Sequence, residues 1–183
     1  MTGNNHFEFD DVAVVSVAAI DAPEIVTSAD IDERLEPFYS RTGAPTGLLE
    51  SLAGITERRM WPEGTSFMTA AAKAGEQAII DSGIDRSRIG LMIDSSVCRE
   101  RLEPSSAVTG HDLLNLPSTC LNFDVSNACL GFLNGMHLAG TMIENGQIDY
   151  ALIIDGEDVR QIHNNTIANL NGCLLYTSDA ADE

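Results

Sequence analysis

The stretch DVSNACLGF, residues 124–132, joins a strand-like run to an apolar helical pattern and so decides how this part of the chain folds. Residues 121–125 favour a strand, and after Cys129 apolar residues recur at helical spacing as far as Ile143. A thiol at a helix start faces unpaired N–H groups and the positive end of the helix dipole, which stabilise the thiolate. The pattern therefore makes Cys129 a candidate nucleophile. From the residues alone a buried structural cysteine is the more common case, since free Cys is among the most buried residue types.

Elsewhere, apolar runs and helical patterns alternate along the chain. Runs rich in β-branched and aliphatic residues predict strands at residues 12–20, 89–95, 121–126 and 150–155. Helical patterns predict helices at residues 28–38, 48–53, 69–82, 105–114 and 128–145. Ser28 is expected to cap the first helix and Pro37 to end it. Strands separated by helices are typical of a mostly parallel sheet with helices on both faces, so we expect an α/β fold.

Length and composition limit the class of protein. The 183 residues are 44% hydrophobic and carry a formal net charge of −18, which fits one packed α/β domain and argues against nucleic acid or an anionic membrane as partner. No apolar run approaches the roughly 18 residues that span a bilayer. The four cysteines form no C-x-x-C pair and no histidine has a partner at metal-ligand spacing. We therefore predict no disulfide, no metal site and a cytoplasmic location.

The C-terminal segment, residues 173–183, differs from the rest of the chain. It reads CLLYTSDAADE and looks like the in-frame translation of a sequencing adapter. It adds three acids and no base, so the net charge without it is −15. We interpret residues 1–172 as a truncated natural half-domain and residues 173–183 as an artefact to be set aside. A genuine polar C-terminus is the alternative.

Several segments resemble, in order and spacing, the 3-oxoacyl-(acyl-carrier-protein) synthase III branch of the thiolase superfamily. ACLGF at residues 128–132 resembles the A-C-x-G-F turn that carries the acyl-accepting cysteine of that branch. GITERR at residues 54–59 resembles its T-G-I-x-x-R segment, with Ala53 in place of the threonine. Further matches follow in the same order at residues 70–83, 89–96 and 150–157. The resemblance covers about residues 8–170 and implies the N-terminal half of a thiolase-like fold.

A narrower match lies at residues 95–105, SSVCRERLEPS, which is similar to a loop of the OleA-like, acyl-CoA condensing thiolases. In those enzymes a glutamate of this loop reaches across the dimer and serves as the base, and Glu103 falls on it. Taking a proton alpha to a thioester requires a base within hydrogen-bond reach. From the residues alone, an ordinary solvated loop acid is the alternative. Leu48 and Leu52 stand where acetyl-primed synthases carry an adenine-binding Trp and Arg, which also favours the OleA-like branch.

The resemblance implies an acyltransferase that performs a Claisen-type condensation through an acyl-Cys129 intermediate. The OleA-like match implies head-to-head condensation of two acyl-CoAs to a 2-alkyl-3-oxoacid. The alternatives are a decarboxylative 3-oxoacyl-(acyl-carrier-protein) synthase III of fatty acid biosynthesis and a non-catalytic subunit of a condensing-enzyme pair. Coenzyme A or acyl carrier protein would be the substrate carrier, without a further cofactor, and the enzyme would be a homodimer.

The resemblance also sets expectations for individual residues. We expect Cys129 to begin its helix at the bottom of a buried pocket. The family's catalytic histidine and asparagine come from the C-terminal half, so His137 is expected to be a packing residue and His163 an exposed one. An anionic carrier requires a local basic rim, for which the candidates are Arg58, Arg59, Arg99 and Arg101.

Overall fold

The structure is a computed structural model that describes residues 8–99 and 101–172. The segment interpreted above as an artefact, residues 173–183, lies outside the described residues. The strands of the described chain are β1 Glu24–Thr27, β2 Glu57–Met60, β3 Ile89–Asp94, β4 Leu121–Asp124 and β5 Tyr150–Ile154. The helices are α1 Ser28–Arg34, α2 Glu36–Thr42, α3 Leu48–Ala53, α4 Phe67–Ser82, α5 Ser106–Leu113, α6 Gly131–Glu144 and α7 Arg160–Gly172. None of these helices has both the length and the apolar composition needed to cross a bilayer.

The described chain divides into two compact units. The first unit comprises residues 8–20, 65–99 and 101–157, and the second comprises residues 21–64 and 158–172. The division arises because segments distant in sequence pair within the second unit. β1 pairs with β2 in antiparallel orientation, and α2 packs against α7. Such long-range pairings leave no local signal in the sequence.

The first unit is built on a three-stranded parallel sheet in the order β4-β3-β5, which confirms the predicted α/β fold. β3 is the central strand, and its residues Leu91, Met92 and Ile93 are fully buried. Because both faces of this strand are covered, it reads as a continuous apolar run. The observed strands end within two residues of the predicted ends at residues 95, 126 and 155.

Helices cover both faces of this sheet. On one face, side chains of α4 and α5 pack with those of β3 and β5 in a core that includes Phe67, Met68, Met92, Leu114, Leu152 and Ile154. On the other face, Ala139 of α6 packs against Leu91 and Ile93. The sheet is therefore sandwiched between helix layers, and the ends of its strands are fixed by packing on two sides.

Residues 12–20, predicted as a strand, form no regular element. Val14, Val15 and Val17 are exposed by 65%, 56% and 82%, so this run is not part of a core among the described residues. The physical reason is that a β-branched run gives a strand only when a neighbour supplies a hydrogen-bond ladder, and the observed sheet has none here.

The first predicted helix, residues 28–38, is two helices in the structure. Thr27, not Ser28, caps α1, because its hydroxyl accepts from the Asp30 N–H at 3.0 Å while the Asp30 carboxylate accepts from the Thr27 N–H at 2.8 Å. Pro37 lies in the first turn of α2 and so begins a helix where the sequence predicted an end. Proline is well tolerated there because first-turn N–H groups have no intrahelical partner.

Candidate active site

Cys129 lies in a tight turn between β4 and α6. α6 begins at Gly131 and not at the predicted residue 128, so the cysteine precedes the helix by two positions. The Leu130 N–H donates to the Asn127 carbonyl at 3.0 Å and the Gly131 N–H donates to the Ala128 carbonyl at 3.0 Å. These two donors close the turn, so they do not point at a ligand. We call residues 125–130 the cysteine loop.

Ala128, directly before Cys129, has a φ of 44°. A non-glycine residue in the left-handed region is uncommon, and such a conformation persists only where its surroundings hold it. The cysteine loop is also tightly packed at its end, because a Cβ on Gly131 would lie 2.9 Å from the Ser95 carbonyl oxygen and 3.0 Å from that of Val125. The turn that presents Cys129 is therefore fixed by backbone contacts on both sides.

The Cys129 side chain is exposed, which corrects the expectation of a buried pocket. The apolar neighbours Leu130 and Leu133 are exposed by 54% and 59%, so the described chain leaves this side of the start of α6 open to solvent. Cys120 provides the contrast: it is buried, and burial raises its thiol pKa to about 11. The geometry therefore disfavours a structural role for Cys129 and assigns one to Cys120.

Three carboxylates lie at the carboxyl ends of the parallel strands, beside the cysteine loop. Asp94 ends β3, Asp124 ends β4 and Asp155 directly follows β5. Asp94 is fully buried, and burial is the main cause that raises its pKa above 3.8. Burial also raises the pKa of Asp155, whose carboxylate accepts from the Ser95 hydroxyl at 3.0 Å. This cluster was not predicted from the sequence, although an aspartate at or near the end of each predicted strand is a recognisable signal.

Arg99 reaches into this carboxylate cluster. Its guanidinium lies 3.6 Å from the carboxylates of both Asp94 and Asp124, and its side chain is 25% exposed. The group also donates to the hydroxyl of Ser126, three positions before Cys129. Arg99 was expected to belong to a basic rim that binds an anionic carrier. Its guanidinium instead faces the carboxylates of Asp94 and Asp124.

The other arginine candidates occupy different settings. Arg101 is exposed, and its guanidinium donates to the Thr109 hydroxyl. In the second unit, Arg58 donates to the Ser28 hydroxyl at 3.0 Å while its Nη1 is buried without a hydrogen-bond partner, and Arg59 is exposed. Arg59 and Arg101 thus remain open to solvent, which a contact with an anionic carrier requires.

Glu103 lies in the loop between β3 and α5 and is exposed. Among the described residues, no hydrogen bond joins its carboxylate to Cys129. The structure therefore places both predicted catalytic side chains on the surface of the first unit, with no hydrogen bond between them in the described residues.

The two histidines after Cys129 differ from each other. His137 lies on α6, half-buried, with its ring centroid 5.8 Å from that of Phe9. His163 was expected to be exposed but lies half-buried on α7, within the second unit. Burial lowers its pKa below 6.5, and the neighbouring charges of Arg34, Arg58 and Arg160 lower it further. Its Nδ1 is buried without a hydrogen-bond partner.

Comparison with known proteins relates this site to a family. The family model described as 3-Oxoacyl-[acyl-carrier-protein (ACP)] synthase III matches residues 123–181, a range that includes the cysteine loop. The match also extends into residues 173–183. It therefore gives no support for setting these residues aside, and their interpretation as an artefact stays a prediction.

Curated relatives and solved structures extend this match over most of the chain. The chain is 43% identical over 162 residues to an acyl-CoA:acyl-CoA alkyltransferase of Xanthomonas campestris, covering 88% of this chain and 48% of the relative. It is 36% identical to the protein of the same name from Shewanella oneidensis, covering 89% and 47%. A crystal structure of a cysteine-to-serine variant of Xanthomonas campestris OleA, with bound lauric acid and lauroyl-CoA, matches with a TM-score of 0.87 at 41% identity. That structure covers 91% of this chain, and the chain covers 50% of it.

The chain thus spans about half the length of the curated relatives that it matches. The chain carries part of a 3-oxoacyl-[acyl-carrier-protein] synthase III domain on a thiolase-like fold and is a homologue of the OleA acyl-CoA:acyl-CoA alkyltransferases.

Proposed function

We propose that this chain supplies the nucleophile and the base of a Claisen-type condensation of two fatty acyl-CoAs. The observation that carries the proposal is the exposed Cys129 in a fixed turn before α6, in a chain 43% identical to an acyl-CoA:acyl-CoA alkyltransferase. A thiol displayed in this way meets a thioester without rearrangement of the backbone.

In the first step, the Cys129 thiolate attacks the carbonyl of an acyl-CoA. The tetrahedral oxyanion is stabilised by the Cys129 N–H, since the next two N–H groups are committed to closing the turn. Collapse of this intermediate breaks the bond to the coenzyme A sulfur, which leaves as a thiolate and takes up a proton. Cys129 then carries the acyl group as a thioester.

In the second step, Glu103 removes an alpha proton from another acyl-CoA. The resulting carbanion attacks the carbonyl of acyl-Cys129, forming a carbon–carbon bond and releasing the Cys129 thiolate. Hydrolysis of the remaining thioester by water gives a 2-alkyl-3-oxoacid and coenzyme A. Because Glu103 is exposed and forms no hydrogen bond to Cys129 among the described residues, we propose that it acts in the site of a second subunit of a homodimer.

Replacement of Glu103 tests the division of roles in the full-length protein. Glu103→Gln should leave acylation of Cys129 intact and slow condensation by about 10²- to 10⁴-fold, the usual cost of removing a general base. Acyl-enzyme is measured by mass spectrometry and product by extraction, with long-chain acyl-CoA as sole substrate. Asp112→Asn, at an exposed carboxylate of α5, is the matched control and should change neither step.

Replacement of the cysteines tests the nucleophile. Cys129→Ala should abolish acyl transfer, whereas Cys98→Ala and Cys120→Ala should leave most of it, because neither thiol lies in the cysteine loop. Equal loss in all three variants would show that packing, and not nucleophilicity, explains the effect.

A decarboxylative synthase acting with a malonyl donor is the second candidate, favoured by the family model that matches residues 123–181. Such an enzyme requires no alpha-proton base, so full condensation by Glu103→Gln, or strict dependence on malonyl-acyl carrier protein, would select it. A non-catalytic subunit is the third candidate, and the exposure of Cys129 argues against it.

The carrier and location belong to the same proposal. We propose coenzyme A or acyl carrier protein as the carrier, no further cofactor, and a reducing cytoplasmic setting in which Cys98, Cys120 and Cys129 stay as the free thiols observed.

A further inference from the structure

We propose that Arg99 is a positioning residue for the cysteine loop, and that it acts by joining Ser126 to the carboxylates of Asp94 and Asp124 at the strand ends. The inference rests on the proposed function in one respect only, namely that Cys129 is the reacting group. The contacts of Arg99 themselves are independent of that assignment.

The Arg99 guanidinium makes several hydrogen bonds within the protein. Its Nη1 donates to the carbonyls of Ser96 at 2.6 Å and of Cys98 at 2.8 Å. Its Nη2 donates to the hydroxyl of Ser126. Both N–H groups of Nη1 and one of Nη2 are therefore in use, so three of the five guanidinium donors are committed within the protein.

The positive charge of Arg99 lies beside the carboxylates of Asp94 and Asp124. Asp94 and Asp124 end neighbouring strands, with side chains exposed by 0% and 16%, and the Asp124 charge raises the pKa of Asp94. The Arg99 charge lies 3.6 Å from both carboxylates and lowers the Asp94 pKa, so it offsets their repulsion. Removing one partner from such a cluster is costly, because it leaves buried charge without compensation.

The cysteine loop contains a residue in a strained backbone conformation, which its surroundings must hold in place. Ala128 keeps a φ of 44° directly before Cys129, and strained residues persist where the surrounding structure over-determines them. The Arg99 contact with Ser126 fixes the loop on the strand side, and the close approach of Gly131 to Ser95 fixes it on the helix side. Loss of the Arg99 contact therefore frees the loop at one end only, and α6 keeps its place.

The experiment compares four variants of the full-length protein: Arg99→Gln, Arg99→Lys, Ser126→Ala and the control Arg88→Gln. Arg88 belongs to the same unit and also faces a carboxylate, that of Asp149, at an exposed site where such a pair contributes little. Two quantities are measured for each variant. One is the amide hydrogen exchange of residues 125–131, and the other is kcat and KM for acyl transfer from a long-chain acyl-CoA.

We expect Arg99→Gln to speed exchange of the Leu130 and Gly131 amides by about tenfold or more, while exchange in α4 stays unchanged. kcat should fall by about 10- to 100-fold without a change in KM, because a misplacement of the nucleophile by about 1 Å costs up to that factor. Arg99→Lys should rescue thermal stability but not kcat, because an ammonium cannot reproduce the planar set of donors. Ser126→Ala, which keeps every charge, should give a smaller change in the same direction.

The outcomes separate the competing explanations. A raised KM with unchanged kcat and exchange in Arg99→Gln would make Arg99 a carrier ligand and overturn the proposal. Unchanged exchange in both Arg99→Gln and Ser126→Ala would overturn it as well, as would an equal effect in Arg88→Gln. Full activity of Cys129→Ala would instead refute the proposed function, and the exchange measurement would still decide whether Arg99 holds the loop. If Arg99→Gln does not fold, Arg99→Lys and Ser126→Ala carry the test.

Discussion

Gly131→Ala should destabilise the protein although alanine is the better helix former. In the middle of a helix, alanine is favoured over glycine by about 1 kcal/mol, and by less at the first helical position, which Gly131 occupies. Against this gain stands the new Cβ, 2.9 Å from the Ser95 carbonyl oxygen and 3.0 Å from that of Val125. Both contacts are with backbone atoms, so neither can be relieved by a change of rotamer. Overpacking of this kind costs about 1–3 kcal/mol, and the steric cost should win.

Gly135 is the matched control on the same helix. A Cβ there would lie 3.3 Å from Cγ2 of Ile153 and 3.4 Å from Cγ2 of Ile93, which are ends of side chains that can give by a few tenths of an ångström. The helix-propensity gain therefore offsets the crowding, and Gly135→Ala should be close to neutral.

Urea unfolding and thermal unfolding measure the difference. A net loss of about 1–2 kcal/mol in Gly131→Ala corresponds to a Tm lower by roughly 2–8 °C for a chain of this size. We also expect slower acylation of Cys129, since the turn must shift to admit the methyl group. If Gly131→Ala is as stable as Gly135→Ala, the close approach of the two carbonyls does not limit this position and the reasoning fails.

Three further predictions concern the thiols and the strand ends. Iodoacetamide should modify Cys129 in the folded protein and leave Cys120 intact, because burial raises the Cys120 pKa to about 11; peptide mapping that found equal labelling would contradict this. The raised pKa of Asp94 contributes stability that is complete below pH 3.8 and is lost as the pH rises through its folded-state pKa. Asp94→Asn should therefore gain stability relative to the wild type as urea titrations move from pH 4 to pH 7, and a constant difference would exclude this carboxyl as the cause. Asp124→Ala should cost about 1–2 kcal/mol or more, because its carboxylate accepts from the first two N–H groups of α5 at 3.0 and 2.8 Å; a smaller loss in a thermal scan would show that this cap is dispensable.

Elements with a strong local pattern were predicted accurately from the sequence. α3 was predicted with its observed bounds, since Gly54 in the left-handed conformation ends it, and α4 begins only two residues before the predicted start, at Phe67. Within the site, the position of Cys129 between a strand and a helix was also predictable. Local propensity and apolar spacing are sufficient for such features.

The elements and contacts that were not predicted from the sequence depend on contacts between distant residues. β1 and β2 have four residues each, too few to show alternation, and they become strands only by pairing with each other. α7 was missed because its sequence is polar and only Ile167 is buried. The contacts of Arg99 were also not predicted. They depend on the strand order that brings Asp94 and Asp124 together, and no local pattern around residue 99 indicates that order.

The order of strands also sets the order in which a growing chain can complete the sheet. β3 lies between β4 and β5, and the Ser95 hydroxyl at its end donates to the Ile154 carbonyl, 59 residues further along the chain. During synthesis, β3, α5 and β4 can therefore associate while one edge of β3 still lacks its neighbour. An open edge of a buried apolar strand is a template for pairing with other chains. Only when β5 has been synthesised and has paired is this edge of β3 closed, and ribosome pausing before that point would lengthen the exposure.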